Sequence, residues 1–193
     1  MQHDPSRTSF YVGNEFYQTL TESFKDWQIE RLEVTDLVLR DTCRMLLEKE
    51  ARLLDQNRLD DWLRLYVPEG VYWVPATEPA GDPRTEIAVC FDDRRRIEDR
   101  IFRLQNEFAW SQQPRSRTAR LISNVEVFST ENKNILMLRA TFLVTEFQAG
   151  DKRTYSGWYG HKIRYENDKW NIVAKQVNLI DCDQNLRNLS IIL

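Results

Sequence analysis

The sequence contains two histidines, His3 and His161, the residue type best suited to proton transfer near neutral pH. His161 lies in a segment with strand-like alternation, on the same strand face as Tyr155 and Tyr159. In a cone-shaped sheet that face would line a cavity, where His161 could act as a general base beside a carboxylate. The candidate carboxylates are Asp55, Asp61 and Asp181. The alternative is a structural histidine, hydrogen-bonded on a sheet face.

Metal chemistry is not supported by the residue pattern. Cys43, Cys90 and Cys182 are far apart in the sequence and form no C-x-x-C motif, which is typical neither of a zinc site nor of a disulfide framework. A Rieske cluster needs two cysteines and two histidines, but none of the three cysteines is near His3 or His161 in the sequence. A mononuclear iron triad needs two histidines and a carboxylate, and here the two histidines lie in separate regions of the chain. We therefore expect no catalytic centre, no cofactor and no metal in this chain, and we expect its three thiols to be reduced and buried.

Three arginines, Arg115, Arg117 and Arg120, lie close together near the start of a predicted strand. Guanidinium groups form bidentate bonds with carboxylates, so these residues suit a contact with a neighbouring chain, although local salt bridges explain them equally well. The sequence closes on Ile191, Ile192 and Leu193, whereas chain ends are normally solvated. This apolar segment predicts burial in a subunit contact.

The composition indicates a globular protein of one domain, with 193 residues, 41% of them hydrophobic, and a net charge of −3. The balanced charge argues against a nucleic-acid partner. No apolar run reaches the roughly 18 residues typical of a membrane span, and the first residues do not resemble a secretion signal. We therefore expect a cytoplasmic protein without membrane contact.

Helical periodicity is strongest after Thr35 and Asp36, either of which could cap a helix that continues through Leu54. Asn57 offers a second N-cap, for a short helix over about residues 58–65. Pro68 and Gly70 should end that helix. A further helix is predicted from Asp92 or Asp93 to about Phe108.

Strand patterns dominate the second half of the sequence. Strands are predicted at about 71–75, 85–91, 117–128, 135–147, 153–165 and 170–181. The short links between the last four favour antiparallel neighbours. The predicted architecture is α+β: a curved, mostly antiparallel sheet with about three helices on one face. Residues 35–193 form this domain, and residues 1–34 form an aromatic N-terminal arm that packs on the domain or on a partner.

Several short motifs in a fixed order give the sequence a resemblance to a known family. They are Glu50-Ala51-Arg52-Leu53-Leu54-Asp55, a short helix with Trp62, Val71-Tyr72-Trp73-Val74-Pro75, Ser116-Arg117-Thr118 with Arg120, Ser123-Asn124-Val125, and Asn185-Leu186 with Asn188-Leu189. With them the chain resembles the small (β) subunit of bacterial aromatic-ring-hydroxylating dioxygenases, which are Rieske non-haem iron oxygenases. The resemblance covers roughly residues 35–193.

The resemblance implies the cone-shaped cystatin-like (nuclear-transport-factor-2-like) fold and an α3β3 hexamer with a trimer of β subunits. It implies that the α subunit holds the Rieske [2Fe–2S] cluster and a mononuclear Fe(II). It also implies that NADH-derived electrons arrive through a reductase, sometimes with a ferredoxin, and that the complex cis-dihydroxylates an aromatic compound with O2 in aromatic catabolism. The β subunit would support assembly. The interface residues predicted for this role are Arg115, Arg117, Arg120, Asn124, Ile191, Ile192 and Leu193.

A different function remains open from the residues themselves. A free-standing small hydratase or isomerase of the same fold would use His161 as its general base and would need a polar pocket open to substrate. A ligand-binding module with an aromatic cavity is a third alternative.

Overall fold

A curved sheet of six strands organises the chain in the computed structural model, which describes residues 13–105, 113–184, 186, 189 and 191–193. The helices are α1 (Asn14–Ser23), α2 (Leu37–Asp55), α3 (Leu59–Leu63) and α4 (Arg94–Gln105), with a 3-10 turn at Glu30–Leu32. The strands are β1 (Tyr66–Pro75), β2 (Ala88–Asp92), β3 (Arg117–Ser129), β4 (Ile135–Gln148), β5 (Asp151–Glu166) and β6 (Lys169–Leu179). The predicted α+β architecture is confirmed.

The sheet has the strand order β2-β1-β6-β5-β4-β3, so its two edges are β2 and β3. The four long strands β3 to β6 pair antiparallel with their sequence neighbours, as the short links between them predict. β1 pairs parallel with β6, which brings the first strand into the centre of the sheet. Alternate residues of β4, from Leu136 to Val144, are buried on one face, which we call the inner face.

Three helices, α2, α3 and α4, pack on this inner face and form the main core with it. Asp36 caps α2 as predicted, because its carboxylate accepts a hydrogen bond from the amide of Leu39 at 2.7 Å. Cys43, Leu47 and Leu54 then recur on the buried side of the helix. In the part of the chain that the structure describes, no helix is long and apolar enough to cross a membrane.

Two local predictions were wrong. Asn57 does not cap α3; it adopts a left-handed conformation with φ of 53°, and Arg58 is the N-cap residue. Asparagine tolerates this conformation better than most residues, so it serves as the turn between α2 and α3. Pro68 and Gly70 lie inside β1, where the pairing register with β6 shifts between Tyr66 and Val71. This irregularity accommodates both residues within a strand.

The described part of the arm, residues 13–34, packs on the opposite, outer face of the sheet. Leu20 of α1 is 1% exposed and contacts Val71, Trp73 and Ala174. Trp27 packs against Phe128 and Met137. Trp27 is therefore buried against the chain's own sheet, and Phe16, Tyr17 and Phe24 are half-buried there. Phe10 and Tyr11 lie outside the described residues.

A close contact between β5 and β6 gives a first prediction. A Cβ at Gly157 would lie 1.9 Å from the carbonyl oxygen of Asn178, and this backbone atom cannot move without separating the two strands. We expect Gly157→Ala to lower the free energy of unfolding by about 1–3 kcal/mol, the typical cost of overpacking.

Chemical denaturation of the full chain measures this change. Gly13→Ala is the control, because a Cβ at Gly13 meets no atom within 4 Å and the change should cost only the difference between glycine and alanine at the N-cap of α1. Equal unfolding midpoints for the two variants would show that the strands separate at no cost.

Candidate functional site

A carboxylate buried between α2 and the sheet is the centre of a polar cluster in the core. Glu50 is 2% exposed, and its Oε2 atom lies 3.0 Å from Nε2 of His161. Its Oε1 atom lies 3.1 Å from Nζ of Lys175 and accepts a hydrogen bond of 3.0 Å from the indole of Trp62. The Tyr66 hydroxyl donates to the same oxygen at 3.5 Å. Both carboxylate oxygens are therefore satisfied inside the protein.

The strand register explains why two basic side chains reach one carboxylate. His161 of β5 and Lys175 of β6 are directly opposite each other, so both project from the inner face at the same level. Glu50 lies on the side of α2 that carries Cys43, Leu47 and Leu54, and it therefore enters the core over these two residues. The ammonium group of Lys175 also lies 4.1 Å from the centroid of the Tyr159 ring.

Electrostatics make this cluster a neutral one at pH 7. Burial alone would raise the pKa of Glu50, but the charge of Lys175 and the hydrogen bonds of the cluster lower it overall. Burial lowers the pKa of Lys175 from 10.5 to about 8 against the attraction of Glu50, so the ammonium stays charged. Burial, and after it the charge of Lys175, lowers the pKa of His161 below its ordinary value despite Glu50. The result is one anion, one cation and a neutral imidazole.

His161 is enclosed by its neighbours rather than open to a substrate. Its side chain is 0% exposed and contacts the Tyr159 ring edge-on, with ring centroids 5.7 Å apart. Tyr159 in turn stacks on Phe142 with centroids 4.1 Å apart. The inner face around the histidine is therefore filled with protein side chains, and Nε2 is directed at Glu50.

The partner predicted for His161 was wrong. The carboxylate that contacts it is Glu50, and neither Asp55, Asp61 nor Asp181 forms that bond. Lys175 was not predicted at all. The sequence does carry a signal for both: Glu50 interrupts the apolar stripe of α2, and Lys175 lies on the same strand face of β6 as the apolar Val177 and Leu179. A charged residue in such a position needs a buried partner.

A second ionic cluster joins the end of α2 to the edge strand β3. The Asp55 carboxylate accepts hydrogen bonds from the Thr118 hydroxyl at 2.8 Å and from the Arg120 amide at 2.9 Å. It also forms an ion pair with the Arg120 guanidinium, which donates a further bond to the carbonyl oxygen of Ile192. The Arg120 side chain is 2% exposed. Helix, strand and C-terminal segment thus meet at one arginine.

The residues predicted at an interface fall into two groups. Arg120, Ile191, Ile192 and Leu193 are directed inward: the last three are 8%, 3% and 0% exposed in the chain's own core. The backbone amide of Leu193 donates to the Tyr72 hydroxyl at 3.1 Å. The segment from Ile191 to Leu193 is therefore already buried within the chain itself.

The second group is directed at solvent. Arg115, Arg117 and Asn124 are exposed on or beside β3. The Arg117 guanidinium lies 4.9 Å from the centroid of the Phe147 ring on β4. Asn124 has φ of 51° at the irregularity where β3 changes register with β4. The interface role of all seven residues remains a prediction, but only these three offer accessible side chains.

Among the described residues, no three or more histidine, cysteine, aspartate or glutamate side chains are grouped so that they could hold a metal ion. The three cysteines are buried and free, as predicted. Burial raises the pKa of the Cys43 thiol to about 12, and it raises the pKa of Cys90 and Cys182 as well. These thiols are therefore protonated and unreactive at neutral pH.

Removing the charge of Glu50 should leave Lys175 buried without its counter-charge. We expect Glu50→Gln to lower the free energy of unfolding by about 3–5 kcal/mol, the usual cost of breaking a buried ion pair. Glu48→Gln is the control on the same helix, because the Glu48–Arg44 pair is 45% exposed on each side and should change stability by less than about 0.5 kcal/mol. Urea unfolding measures the free energy of unfolding of both variants. Similar losses of stability in the two would contradict a stabilising role of the buried Glu50–Lys175 pair.

Acid should destabilise the fold in two stages. His161 has a folded pKa below its ordinary 6.5, so the unfolded chain binds more protons below pH 6.5 and stability falls as the pH drops from there. The lowered pKa of Glu50 adds a second loss below its ordinary 4.5. In His161→Gln the first stage should disappear, which thermal unfolding at a series of pH values would detect. An unchanged profile would mean that His161 does not titrate with folding.

Comparison with known proteins identifies the family. The model of the ring hydroxylating beta subunit family matches residues 49–184. The chain is 32% identical over 149 residues to the benzoate 1,2-dioxygenase subunit beta of Acinetobacter baylyi, covering 75% of this chain and 88% of that protein.

Solved structures agree with this match. The benzoate 1,2-dioxygenase beta subunit of Burkholderia mallei has a TM-score of 0.66 and 27% identity, covering 82% of this chain and 99% of that one. An NTF2-like protein of Novosphingobium aromaticivorans with a cystatin-like fold has a TM-score of 0.54 at 14% identity, covering 89% and 93%. This second likeness concerns the fold alone, and the cystatin-like fold predicted from the sequence is confirmed. The chain therefore belongs to the family of ring-hydroxylating β subunits, the small subunits of aromatic-ring-hydroxylating dioxygenases.

Proposed function

We propose that this chain is the assembly subunit of an α3β3 oxygenase, in which three β subunits form a base for three large α subunits. In this proposal the chain contributes a rigid surface and no reacting group. The α subunit holds the Rieske [2Fe–2S] cluster and the mononuclear iron, and a reductase, with or without a ferredoxin, supplies electrons from NADH. The product is a cis-dihydroxylated aromatic compound, and the complex works in the cytoplasm.

The enclosure of His161 is the observation that carries the structural role. A general base must come within hydrogen-bond reach of its substrate. The imidazole of His161 is 0% exposed, and its Nε2 atom is committed to Glu50. The same cluster joins α2 to β5 and β6, which indicates a structural role. These contacts oppose the alternative of a free-standing hydratase or isomerase, which needs an open polar pocket.

The clefts at the surface also favour a structural role over a substrate-binding one. The cleft lined by Asp55, Thr118 and Arg120 has a volume of about 60 Å³, a few water molecules at most. An aromatic substrate needs a site of several hundred cubic ångströms, about 300 Å³ or more. Two larger hollows, of about 430 and 420 Å³, follow the outside of α2 along β3 and are open to solvent. Their open shape suits a surface contact better than the binding of a small substrate.

The accessible side chains beside β3 are the best candidates for direct subunit contacts. We propose that Arg115, Arg117 and Asn124 touch a neighbouring subunit. Arg120 and the segment from Ile191 to Leu193 would act differently: they hold β3 and the end of α2 in place, and so set the shape of the surface that the other three residues occupy. The described arm residues 13–34 stiffen the sheet from its outer face.

Assembly is the property to measure. With the wild-type chain and its large subunit co-expressed, light scattering should report three copies of each, with iron that follows the large subunit only. Arg117→Glu should shift the population to free subunits, because a carboxylate would replace a guanidinium at the contact. The unfolding free energy of the isolated chain should change by less than about 0.5 kcal/mol, since Arg117 is exposed.

Arg31→Glu is the control, with the same charge change at another exposed arginine. A hexamer that persists in Arg117→Glu would remove this residue from the interface. A chain that ignores its large subunit altogether would contradict the assembly role itself.

A further inference from the structure

The outer face of the sheet is covered over only part of its area. Phe24 and Trp27 of the arm cover the region around Gly160 and Trp158. Beyond that region, towards the start of β3, the face carries exposed apolar side chains: Leu121 is 61% exposed, and Leu143 and Phe147 are 41% and 38% exposed. Leu121 and Leu143 are directly opposite each other on β3 and β4, so they form one continuous apolar strip.

Positive charge lies at one end of this strip. Arg117 is opposite Phe147, and Phe147 is opposite Lys152 of β5, which places two cations in one row across the face. Arg115 precedes them and is exposed. Within the described residues, the Arg117 side chain contacts the Phe147 ring and forms no hydrogen bond or ion pair. We call this surface the basic flank: Arg115, Arg117, Leu121, Leu143, Phe147 and Lys152.

A surface of opposite charge lies towards the opposite edge of the sheet, beside β1 and β2. The segment between β1 and β2 carries Glu78 and Glu86, both exposed, and leads to Ile87 and Val89, which are 84% and 38% exposed. Arg84, the one basic residue between positions 76 and 89, is paired with Asp82 at 2.5 Å. The segment after β6 adds two exposed acids. We call this surface the acidic flank: Glu78, Glu86, Ile87, Val89, Asp181 and Asp183.

Both flanks lie at the same end of the sheet. β1 and β6 are parallel and end there, at Pro75 and Leu179, and the acidic flank follows these two ends. β4 also ends there, while β3 and β5 begin there, so the basic flank lies at this end on the β3 side. One side of this end is apolar and basic, and the other is apolar and acidic.

We infer that the basic flank of one copy of this chain binds the acidic flank of the next copy, head to tail. Two different patches that complement each other produce a heterologous contact, which closes into a ring when the rotation between copies allows it. Apolar side chains at the centre of each flank would supply burial, and the opposite charges would set the orientation. The chain itself carries both halves of this contact, which favours a second copy over an unrelated partner.

This inference rests on the proposed assembly and names the surfaces by which β subunits meet in it. The test uses the complex with the large subunit and two new cysteines, Leu121→Cys on the basic flank and Ile87→Cys on the acidic flank. Both positions are exposed, whereas the three native cysteines of this chain are buried, so within this chain a short bifunctional maleimide reacts at the new positions only. The products are separated under denaturing conditions, where one chain has a mass of 23.1 kDa.

A head-to-tail ring predicts that the double variant gives bands at two and three times the mass of the chain. Each single variant should give none, because position 121 meets position 87 of the next copy and never itself. Adding Arg117→Glu to the double variant should reduce the cross-linked fraction at least tenfold.

Three results would overturn the inference: no cross-linking of the double variant within an intact complex, dimers formed by a single variant, or a product that joins position 121 to the large subunit. Failure of the proposed function itself gives a different result: the large subunit then does not co-purify with the chain before any cross-linker is added.

Discussion

The buried carboxylate of Glu50 is the interaction on which the inner face depends. One helix must lie over two strands at a fixed height for this group to meet His161, Lys175 and Trp62 together. An apolar contact tolerates sliding by a fraction of a residue, whereas an ion pair in a dry core loses most of its energy when its atoms separate. The cluster therefore fixes how far α2 reaches along β5 and β6.

A second carboxylate on the same helix fixes the position of α2 relative to the edge strand β3. Asp55 lies five residues after Glu50, and this spacing turns it from the sheet centre towards the edge strand β3. There it holds Thr118 and Arg120, and through Arg120 the backbone of Ile192. Two of the motifs that suggested the family from sequence, 50–55 and 116–120, are thus two sides of one contact. Their residue types follow from this geometry and not from any catalytic step.

The proposed assembly role gives a physical reason for this construction. A subunit that positions others must keep its surface in one shape, and buried ionic contacts of fixed geometry favour a single arrangement over several similar ones. The inner face of this fold, which could have enclosed a substrate, is instead filled by Tyr159, Phe142 and the polar cluster. The outer face carries the arm on one part and leaves the other part exposed, and that exposed part is where subunit contacts are available.

The amino-acid sequence alone determined the family, the α+β class, the four long strands and the capped helix α2, because each depends on local periodicity or on motifs in a fixed order. It also indicated that Cys43, Cys90 and Cys182 are buried and free. Only the tertiary structure decided which carboxylate meets His161, since Glu50 and His161 are 111 residues apart and no local pattern links them. The same holds for Arg120 and the segment from Ile191 to Leu193: a charged or apolar residue must find a partner, and only the fold decides whether that partner belongs to the same chain.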